Sequence, residues 1–190
     1  MEKDLVMGID SGTQSVRAIV YDMQGNELVL AQAPHEPYFS LNPGWAEQRP
    51  DDYWQKLCKV TNEVMSSKKF DPERLAAVGI TTQRNNVIPC DKEGNPLRNA
   101  IIWLDQRYTE DPPPVAKKVK LLFTLIGKGD LINVVQRNSY FTWILKHEPE
   151  IYDQTYKFCL SSSWFVKKLT DQFKDSASMF NGYWPLEAKK

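Results

Sequence analysis

The chain has 190 residues, of which 24 are basic and 24 are acidic, so its net charge is zero. This length supports one sizeable domain with a core of its own, and the balanced charge gives no indication of a nucleic-acid partner. No apolar run approaches the ~20 residues that cross a membrane, and three widely spaced cysteines are typical of reduced thiols in a cytoplasmic protein.

The first predicted element is a β-hairpin at residues 5–21. Two apolar runs, residues 5–9 and 16–21, flank a short polar segment that begins at Asp10, which is the pattern of two strands around a turn. In the turn, Gly12 would let the backbone approach a ligand closely, and successive N–H groups could bind an anion. Asp10 lies where a carboxylate could hold hydrated Mg²⁺ against phosphate. The segment predicts a nucleotide-phosphate hairpin, and an ordinary hairpin with a polar turn is the alternative.

A third strand and a helix follow the hairpin. Residues 27–31 come after a Gly-Asn turn and complete a three-stranded antiparallel meander. Four prolines make residues 34–50 irregular and extended, and Pro50 is suited to the first turn of a helix. The predicted buried face of this helix has helical spacing and consists of Trp54, Leu57, Cys58, Thr61, Val64 and Met65.

Leu75–Thr82 is a short and almost continuously apolar segment. Such a run predicts a central strand that is covered on both faces. The segment continues into Gln83, Arg84 and Asn85, and ligands of open α/β sheets bind beyond the carboxyl ends of the strands. Arg84 is therefore a candidate ligand-binding residue, with a surface ion pair as the alternative interpretation.

The remainder of the chain alternates between predicted strands and helices. The predicted elements are strands at 87–90 and 100–103 that form a hairpin-like pair, helices at 115–126 and 139–147 that end at Gly127 and Pro149, a strand at 157–160, a helix capped by Ser161, and a strand or turn from Phe173. A meander followed by alternating helices and strands gives an α/β fold with a mixed sheet.

Four short motifs stand in order along this pattern: G-I-D-S-G-T at residues 8–13, G-W-A-E-Q at 44–48, G-I-T-T-Q-R at 79–84 and W-L-D-Q-R at 103–107. Together they resemble the N-terminal domain of the FGGY carbohydrate kinases, the family of glycerol, xylulose and gluconate kinases. Actin and the heat-shock ATPases share only the first motif. The resemblance implies an actin-like (ribonuclease H-like) ATPase domain, with a mixed sheet and flanking helices, in a two-domain enzyme that binds ATP and substrate in the cleft.

The resemblance also implies roles for the hairpin. Gly12, Thr13, Gln14 and Arg17 would contact the phosphates of ATP, and Asp10 would hold Mg²⁺. The general base is an aspartate that the resemblance places beyond residue 190, so no catalytic residue is assigned within the chain.

For the sugar or polyol substrate, the resemblance implies contacts with Arg84 and Asn85 and a neighbouring wall of Trp103 and Asp105. Arg84 offers a rigid fork of donors for two hydroxyl oxygens, and Trp103 a flat apolar face for the carbon side of a polyol. Asp105 could accept a hydrogen bond from a hydroxyl, although an ion pair with Arg107 is an equal alternative. Glycerol kinases usually carry Glu where this chain has Asn85, so the particular substrate stays open.

Other features of the resemblance are weaker. Trp45 and Glu47 have a structural alternative to substrate contact, in which Glu47 caps the next helix and Trp45 packs on the core. The tyrosine that precedes the W-I-L helix of glycerol kinases has no clear counterpart, because Tyr140 lies too close to Trp143. The Met-His pair that xylulose kinases carry near residues 84 and 85 is absent as well.

On this interpretation, residues 1–190 are an N-terminal domain without its C-terminal end, and the second, adenine-binding domain is absent from them. The implied partners are the sugar or polyol, the C-terminal domain of the same chain and a second copy in a homodimer. Residues 1–190 alone would bind nucleotide weakly and catalyse nothing. The rival interpretation is a non-enzymatic actin-like ATP-binding or assembly module, which needs only the hairpin.

Overall fold

The computed structural model describes residues 2–176, and the chain divides by its contacts into two units. One unit comprises the chain up to Tyr38 together with Gln48–Asn85, and the other comprises Phe39–Glu47 together with the chain from Asn86 onward. Every helix within residues 2–176 is too short or too polar to span a bilayer.

Strands predominate in the first part of the chain and helices in the second. The strands are β1 (Leu5–Ser11), β2 (Ser15–Asp22), β3 (Glu27–Pro34), β4 (Glu47–Gln48), β5 (Leu75–Thr82), β6 (Ile88–Cys90), β7 (Ala100–Ile101) and β8 (Lys157–Cys159). The helices are α1 (Pro50–Met65), α2 (Lys117–Leu125), α3 (Gly129–Arg137), α4 (Tyr140–His147), α5 (Pro149–Gln154) and α6 (Ser161–Thr170), and a short 3₁₀ helix at Pro72–Arg74 precedes β5.

The first unit is built on a four-stranded mixed sheet in the order β3-β2-β1-β5. β1, β2 and β3 are antiparallel, and β5 runs parallel to β1. The predicted hairpin and meander are confirmed. Their alternating pattern places every second side chain of β1, from Leu5 to Ser11, in the interior. β3 continues past residue 31, its predicted end, to Pro34.

Helix α1 packs on β2 and β3 and begins at Pro50, as predicted. Its buried residues are Pro50, Tyr53, Leu57, Val60 and Val64. The predicted face is therefore partly wrong, since Leu57 and Val64 are buried whereas Met65 is exposed. The helix carries apolar residues over a broad sector, and its contact with the sheet selects which of them are covered.

β5 is a strand, as predicted, but it is not a central strand covered on both faces. It lies at the edge of the sheet formed by the described residues. Its middle residues are exposed, and Val78 is 55% accessible. An apolar run indicates that a strand is suited to burial. Whether another segment covers that strand depends on the tertiary structure. The prediction of a covered central strand is therefore wrong for residues 2–176.

The second unit has an apolar core contributed by its short strands and by α4. The buried members are Val87, Ile101, Tyr140, Trp143, Ile144 and Leu160. β6 pairs with β8, and β4 pairs with β7. The predicted hairpin between residues 87–90 and 100–103 reduces to a single bridge between Val87 and Ile101, because its two strands pair mainly with other segments.

The helix ends predicted at Gly127 and Pro149 are confirmed. α2 begins at Lys117, two residues after its predicted start, and ends at Leu125; Gly127 follows its C-cap with a left-handed φ of 70°. α4 ends at His147, as predicted, and Pro149 begins α5. Ser161 lies inside α6, where its hydroxyl accepts a hydrogen bond from Asn86 Nδ2 at 3.1 Å, so the capping prediction is wrong. α3 was not predicted. Residues 173–176 belong to no helix or strand, and the rest of the segment predicted from Phe173 lies outside the described residues.

Candidate functional site

The turn between β1 and β2 carries the residues predicted to bind phosphate and metal. The strand register pairs Asp10 with Arg17, and Arg17 Nε lies 3.5 Å from Asp10 Oδ2. The side chain of Asp10 is 48% accessible and that of Arg17 is 44% accessible. The Gly12 N–H donates to Ser15 O at 3.0 Å and closes the turn. A carboxylate and a guanidinium therefore lie side by side next to a tight turn, which suits a cation and a phosphate group together.

Gly12 adopts a backbone conformation that is open to other residues, because its φ lies outside the left-handed region. A Cβ built on Gly12 would lie 3.6 Å from Ser15 O, which is an ordinary contact. The turn therefore does not require glycine for its own backbone geometry. Close approach of a ligand to the backbone is the remaining reason for glycine, and phosphate binding by Gly12 stays a prediction.

Behind the turn, four polar side chains from separate segments form hydrogen bonds with one another. Thr13 Oγ1 donates to Gln83 Oε1 at 2.8 Å, and Gln48 Nε2 donates to Thr13 O at 3.0 Å. Tyr53 OH donates to Gln48 Oε1 at 2.8 Å, and Gln83 Nε2 lies 3.3 Å from Tyr53 OH. Sequence reasoning missed Gln48 and Tyr53 as site residues. The available signal was the position of Gln48 in the second motif.

The end of β5 lies beside the end of β1, because the Gln83 N–H donates to Ser11 O at 2.9 Å. This contact brings Arg84 and Asn85 to the same end of the sheet as the turn between β1 and β2, within one unit. Both residues are exposed, and no ion pair within residues 2–176 includes Arg84. The alternative of a surface ion pair is thus not observed. Asn85 has a φ of 60°, a left-handed conformation that Asn tolerates better than most residues.

Trp103 and Asp105 lie in the second unit, on a tight turn after β7. Trp103 is 51% accessible, and its N–H donates to Asn86 Oδ1 at 3.3 Å. Asp105 is buried and accepts hydrogen bonds from the Ala46 N–H at 2.6 Å and from Arg107 Nε at 2.8 Å. The alternative ion pair with Arg107 is therefore observed. Direct contact of Asp105 with substrate stays a prediction, which its burial does not favour.

Arg107 is the centre of a buried charge cluster in the second unit. Its Nη2 lies 2.8 Å from Glu47 Oε1 and 2.7 Å from Asp105 Oδ2. The guanidinium lies 4.0 Å from the ring centroid of Trp45 and 4.6 Å from that of Trp143. Glu47 thus pairs with Arg107 and does not cap α1, whose N-cap has no side-chain hydrogen bond. Trp45 packs against the core, as its structural alternative predicts.

Three further residues, Arg98, Glu148 and Tyr140, adjoin this cluster. Arg98 pairs with Glu47 and, at 2.6 Å, with Glu148. Tyr140 OH donates to Asp105 O at 3.1 Å. Burial raises the pKa of Tyr140 to about 12, and the negative charge of Asp105 acts in the same direction. Tyr140 is therefore a neutral donor that helps to hold the turn after β7.

His35, which follows β3 in the first unit, gives a testable pH dependence. Its Nδ1 lies 3.1 Å from Asp52 Oδ2, and its Nε2 is buried with no hydrogen-bond partner among the residues the structure describes. Burial lowers the pKa of His35 below its ordinary value of 6.5, although Asp52 opposes the shift. The unfolded chain therefore takes up a proton at a higher pH than the native protein does. The free energy of unfolding should fall as the pH falls below about 6.5.

Urea unfolding between about pH 8 and pH 5.5 measures this effect. The variant His35→Gln keeps a donor for Asp52 but does not titrate, so its free energy of unfolding should lose this part of the pH dependence. The same pH dependence in both proteins would show that His35 is not the group responsible.

The antiparallel meander, the parallel β5 and the helix packed on the sheet are those of an actin-like fold of mixed α/β type. The solved structure of gluconate kinase from Lactobacillus acidophilus matches with a TM-score of 0.73 at 19% identity, over 94% of this chain and 36% of that one. Glycerol kinase from Plasmodium falciparum, solved with ADP, matches with a TM-score of 0.65 at 29% identity, over 90% of this chain and 35% of that one. The predicted fold class is confirmed.

The N-terminal domain of the FGGY family of carbohydrate kinases matches residues 5–182, and the chain belongs to this family. The glycerol kinase of Malacoplasma penetrans is 33% identical over 174 residues, which cover 89% of this chain and 34% of that protein. The chain thus spans about a third of the length of this curated relative. The family resemblance predicted from the four motifs is confirmed.

Proposed function

We propose that this chain is the N-terminal domain of an ATP-dependent carbohydrate kinase, which transfers the γ-phosphate of ATP to a hydroxyl of a sugar or polyol. One observation carries the proposal. The hydrogen bond from the Gln83 N–H to Ser11 O brings the predicted phosphate turn and Arg84 to one end of one sheet. Phosphoryl transfer depends largely on positioning and electrostatic stabilisation, and neighbouring groups for phosphate and acceptor suit that requirement.

In this proposal the hairpin turn binds the phosphates. Gly12, Thr13, Gln14 and Arg17 supply donors to phosphate oxygens, and the fork of the Arg17 guanidinium matches phosphate geometry. Mg²⁺ fits the half-accessible carboxylate of Asp10 and would neutralise charge on the phosphates. Within residues 2–176 no group of three or more His, Cys, Asp or Glu could hold a metal. The ion would therefore take one carboxylate, water and phosphate oxygens as ligands, as Mg²⁺ usually does.

The acceptor is assigned to Arg84, Asn85, Trp103 and Asp105. The exposed guanidinium of Arg84 can donate to two hydroxyl oxygens, and the half-exposed ring of Trp103 offers an apolar face to carbon atoms. Asn85 provides both a donor and an acceptor without a charge. Asp105 is buried, so in this proposal it acts indirectly. Its hydrogen bonds hold the turn after β7 that carries Trp103.

The complete enzyme adds a C-terminal domain that binds adenine and carries the general base, an aspartate. This chain spans about a third of the length of its glycerol kinase relative, which supports the proposal that the complete enzyme includes a further domain. The enzyme works in the cytoplasm, and free thiols at Cys58, Cys90 and Cys159 are consistent with a reducing compartment. A homodimer of the complete chain is compatible with this proposal.

The complete protein and residues 1–190 should be assayed side by side with ATP, Mg²⁺ and glycerol, erythritol, xylulose, ribulose or gluconate. We expect acceptor-dependent ADP release from the complete protein only, because adenine binding and the general base are assigned to the second domain. Nucleotide binding by residues 1–190 should be weak but detectable. Turnover by residues 1–190 would contradict the two-domain assignment. Nucleotide-dependent polymerisation, seen by light scattering, would favour the assembly module instead.

A further inference from the structure

The side chain of Gln48 is held by groups from four separate segments of the first unit. Its Nε2 donates to Thr13 O at 3.0 Å and to Glu36 O at 3.2 Å. Its Oε1 accepts from Tyr53 OH at 2.8 Å and lies 3.4 Å from Gln83 Nε2. Gln48 is only 3% accessible, and protein groups provide hydrogen-bond partners for both polar atoms of its side chain.

The partners of Gln48 determine which way its amide is oriented. Backbone carbonyls only accept hydrogen bonds, so both hydrogens of Nε2 are directed at Thr13 O and Glu36 O. Oε1 must then be the acceptor for Tyr53. Burial raises the pKa of Tyr53 far above its ordinary value, so the phenol keeps its proton at physiological pH and remains a donor. Each of these hydrogen bonds therefore has one direction.

The same assignment extends to Gln83 and closes a ring around Thr13. Gln83 Nε2 faces the oxygens of Gln48 and Tyr53, so its Oε1 is the atom that accepts from Thr13 Oγ1 at 2.8 Å. Thr13 is thus held twice, by Gln48 at its carbonyl and by Gln83 at its hydroxyl. The peptide that follows Thr13 consequently has little freedom to rotate.

The carbonyl contact determines where the next N–H group points. In a planar trans peptide, the C=O of one residue and the N–H of the following residue point in opposite directions. Because the Thr13 C=O points towards Gln48, the Gln14 N–H points away from Gln48. Gln14 is exposed, and within residues 2–176 no hydrogen bond uses its N–H. This donor is therefore available to an anion outside the turn.

We propose that Gln48 is a positioning residue, which anchors the Thr13 carbonyl and thereby presents the Gln14 N–H to a phosphate of the bound nucleotide. This inference rests on the proposed function, because it takes the turn to be the phosphate site. Gln48 does not touch the ligand and acts through one peptide plane.

The test uses the complete protein and the variant Gln48→Glu. The carboxylate keeps the shape of the amide but presents oxygen atoms to two carbonyl oxygens, so it should repel the Thr13 peptide. We expect KM for ATP, and Kd for Mg·ADP measured by calorimetry, to rise about 10-fold. KM for the acceptor should change by less than about two-fold. A merely structural role would lower the melting temperature without separating the two KM values.

Gln55→Glu is the matched control for the added negative charge. Gln55 is an exposed residue of α1 in the same unit, so the charge is added on the solvent side of the helix and not beside the Thr13 carbonyl or Arg17. It should change KM for ATP less than about three-fold. Tyr53→Phe keeps the ring and removes the donor to Gln48. It should weaken Mg·ADP binding about three-fold, and it tests the inference even where Gln48→Glu fails to fold.

Unchanged Mg·ADP binding in both Gln48→Glu and Tyr53→Phe would overturn the inference, as would an equal rise in the two KM values. A wild-type protein that binds Mg·ADP but phosphorylates no acceptor would refute the proposed kinase function. The positioning role would still be supported in that case if Gln48→Glu weakened nucleotide binding and Gln55→Glu did not.

Discussion

Replacing Arg107 with methionine should lower the free energy of unfolding by about 3–5 kcal/mol. The substitution leaves Glu47 and Asp105 buried without the guanidinium that pairs with both. An uncompensated buried charge is the main cost, because the methionine side chain fills much of the vacated volume. The contacts of the guanidinium with the rings of Trp45 and Trp143 are lost as well.

Urea unfolding of Arg107→Met and of the control Arg137→Ala measures this difference. Arg137 is exposed in the same unit and lies over the ring of Tyr108, a contact worth about 0.5–1 kcal/mol. The double variant of Glu47→Gln with Arg107→Met should recover part of the loss, because it removes one unpaired charge. Equal stability of Arg107→Met and Arg137→Ala would show that the cluster adds no stability of its own.

In the complete protein, Arg84→Ala should reduce kcat/KM for the acceptor by about 10- to 150-fold. A hydrogen bond from a charged donor is worth about 1.5–3 kcal/mol, and this range of free energy corresponds to that loss. A surface ion pair would contribute only about 0–1 kcal/mol, and none within residues 2–176 includes Arg84. The KM for ATP should change less than the KM for the acceptor.

Arg74→Ala is the matched control for this measurement. Arg74 directly precedes β5, whereas Arg84 follows the other end of the strand, and Arg74 pairs with Asp4. Its removal should leave kcat/KM within about two-fold of the wild type. Arg84→Lys keeps the charge but loses the planar fork, so it should restore little activity. A loss of less than about five-fold in Arg84→Ala would argue against a role in binding the acceptor.

Features that depend on neighbouring residues were predictable. The β1–β2 hairpin follows from two apolar runs around a polar turn, and α1 begins at Pro50 because proline has a helical φ already. The pairing of Asp105 with Arg107 was foreseen as an alternative, since the two residues are only two positions apart. Arg84 was identified as a site candidate because it follows the end of a strand.

Features that join distant segments were not predictable in the same way. Glu47 and Arg107 are 60 residues apart, and Gln48 and Thr13 are 35 residues apart. Nothing in the composition of either segment indicates its partner, because many carboxylates and amides in the chain have the same chemistry. The two interpretations of Glu47, a helix cap and a substrate contact, therefore did not include its ion pair with Arg107, and Gln48 was not predicted as part of the site.

The order of strands and turns along the first part of the chain thus follows from the residues in sequence, because turn geometry and apolar spacing act over a few positions. The family was indicated by the resemblance of four short motifs, and that resemblance also suggested most of the candidate ligand groups. The burial of Asp105, the exposed edge at β5 and the amide ring behind Thr13 depend on which segments come together. Burial and hydrogen bonding are properties of pairs of segments, and local preference describes only one member of each pair.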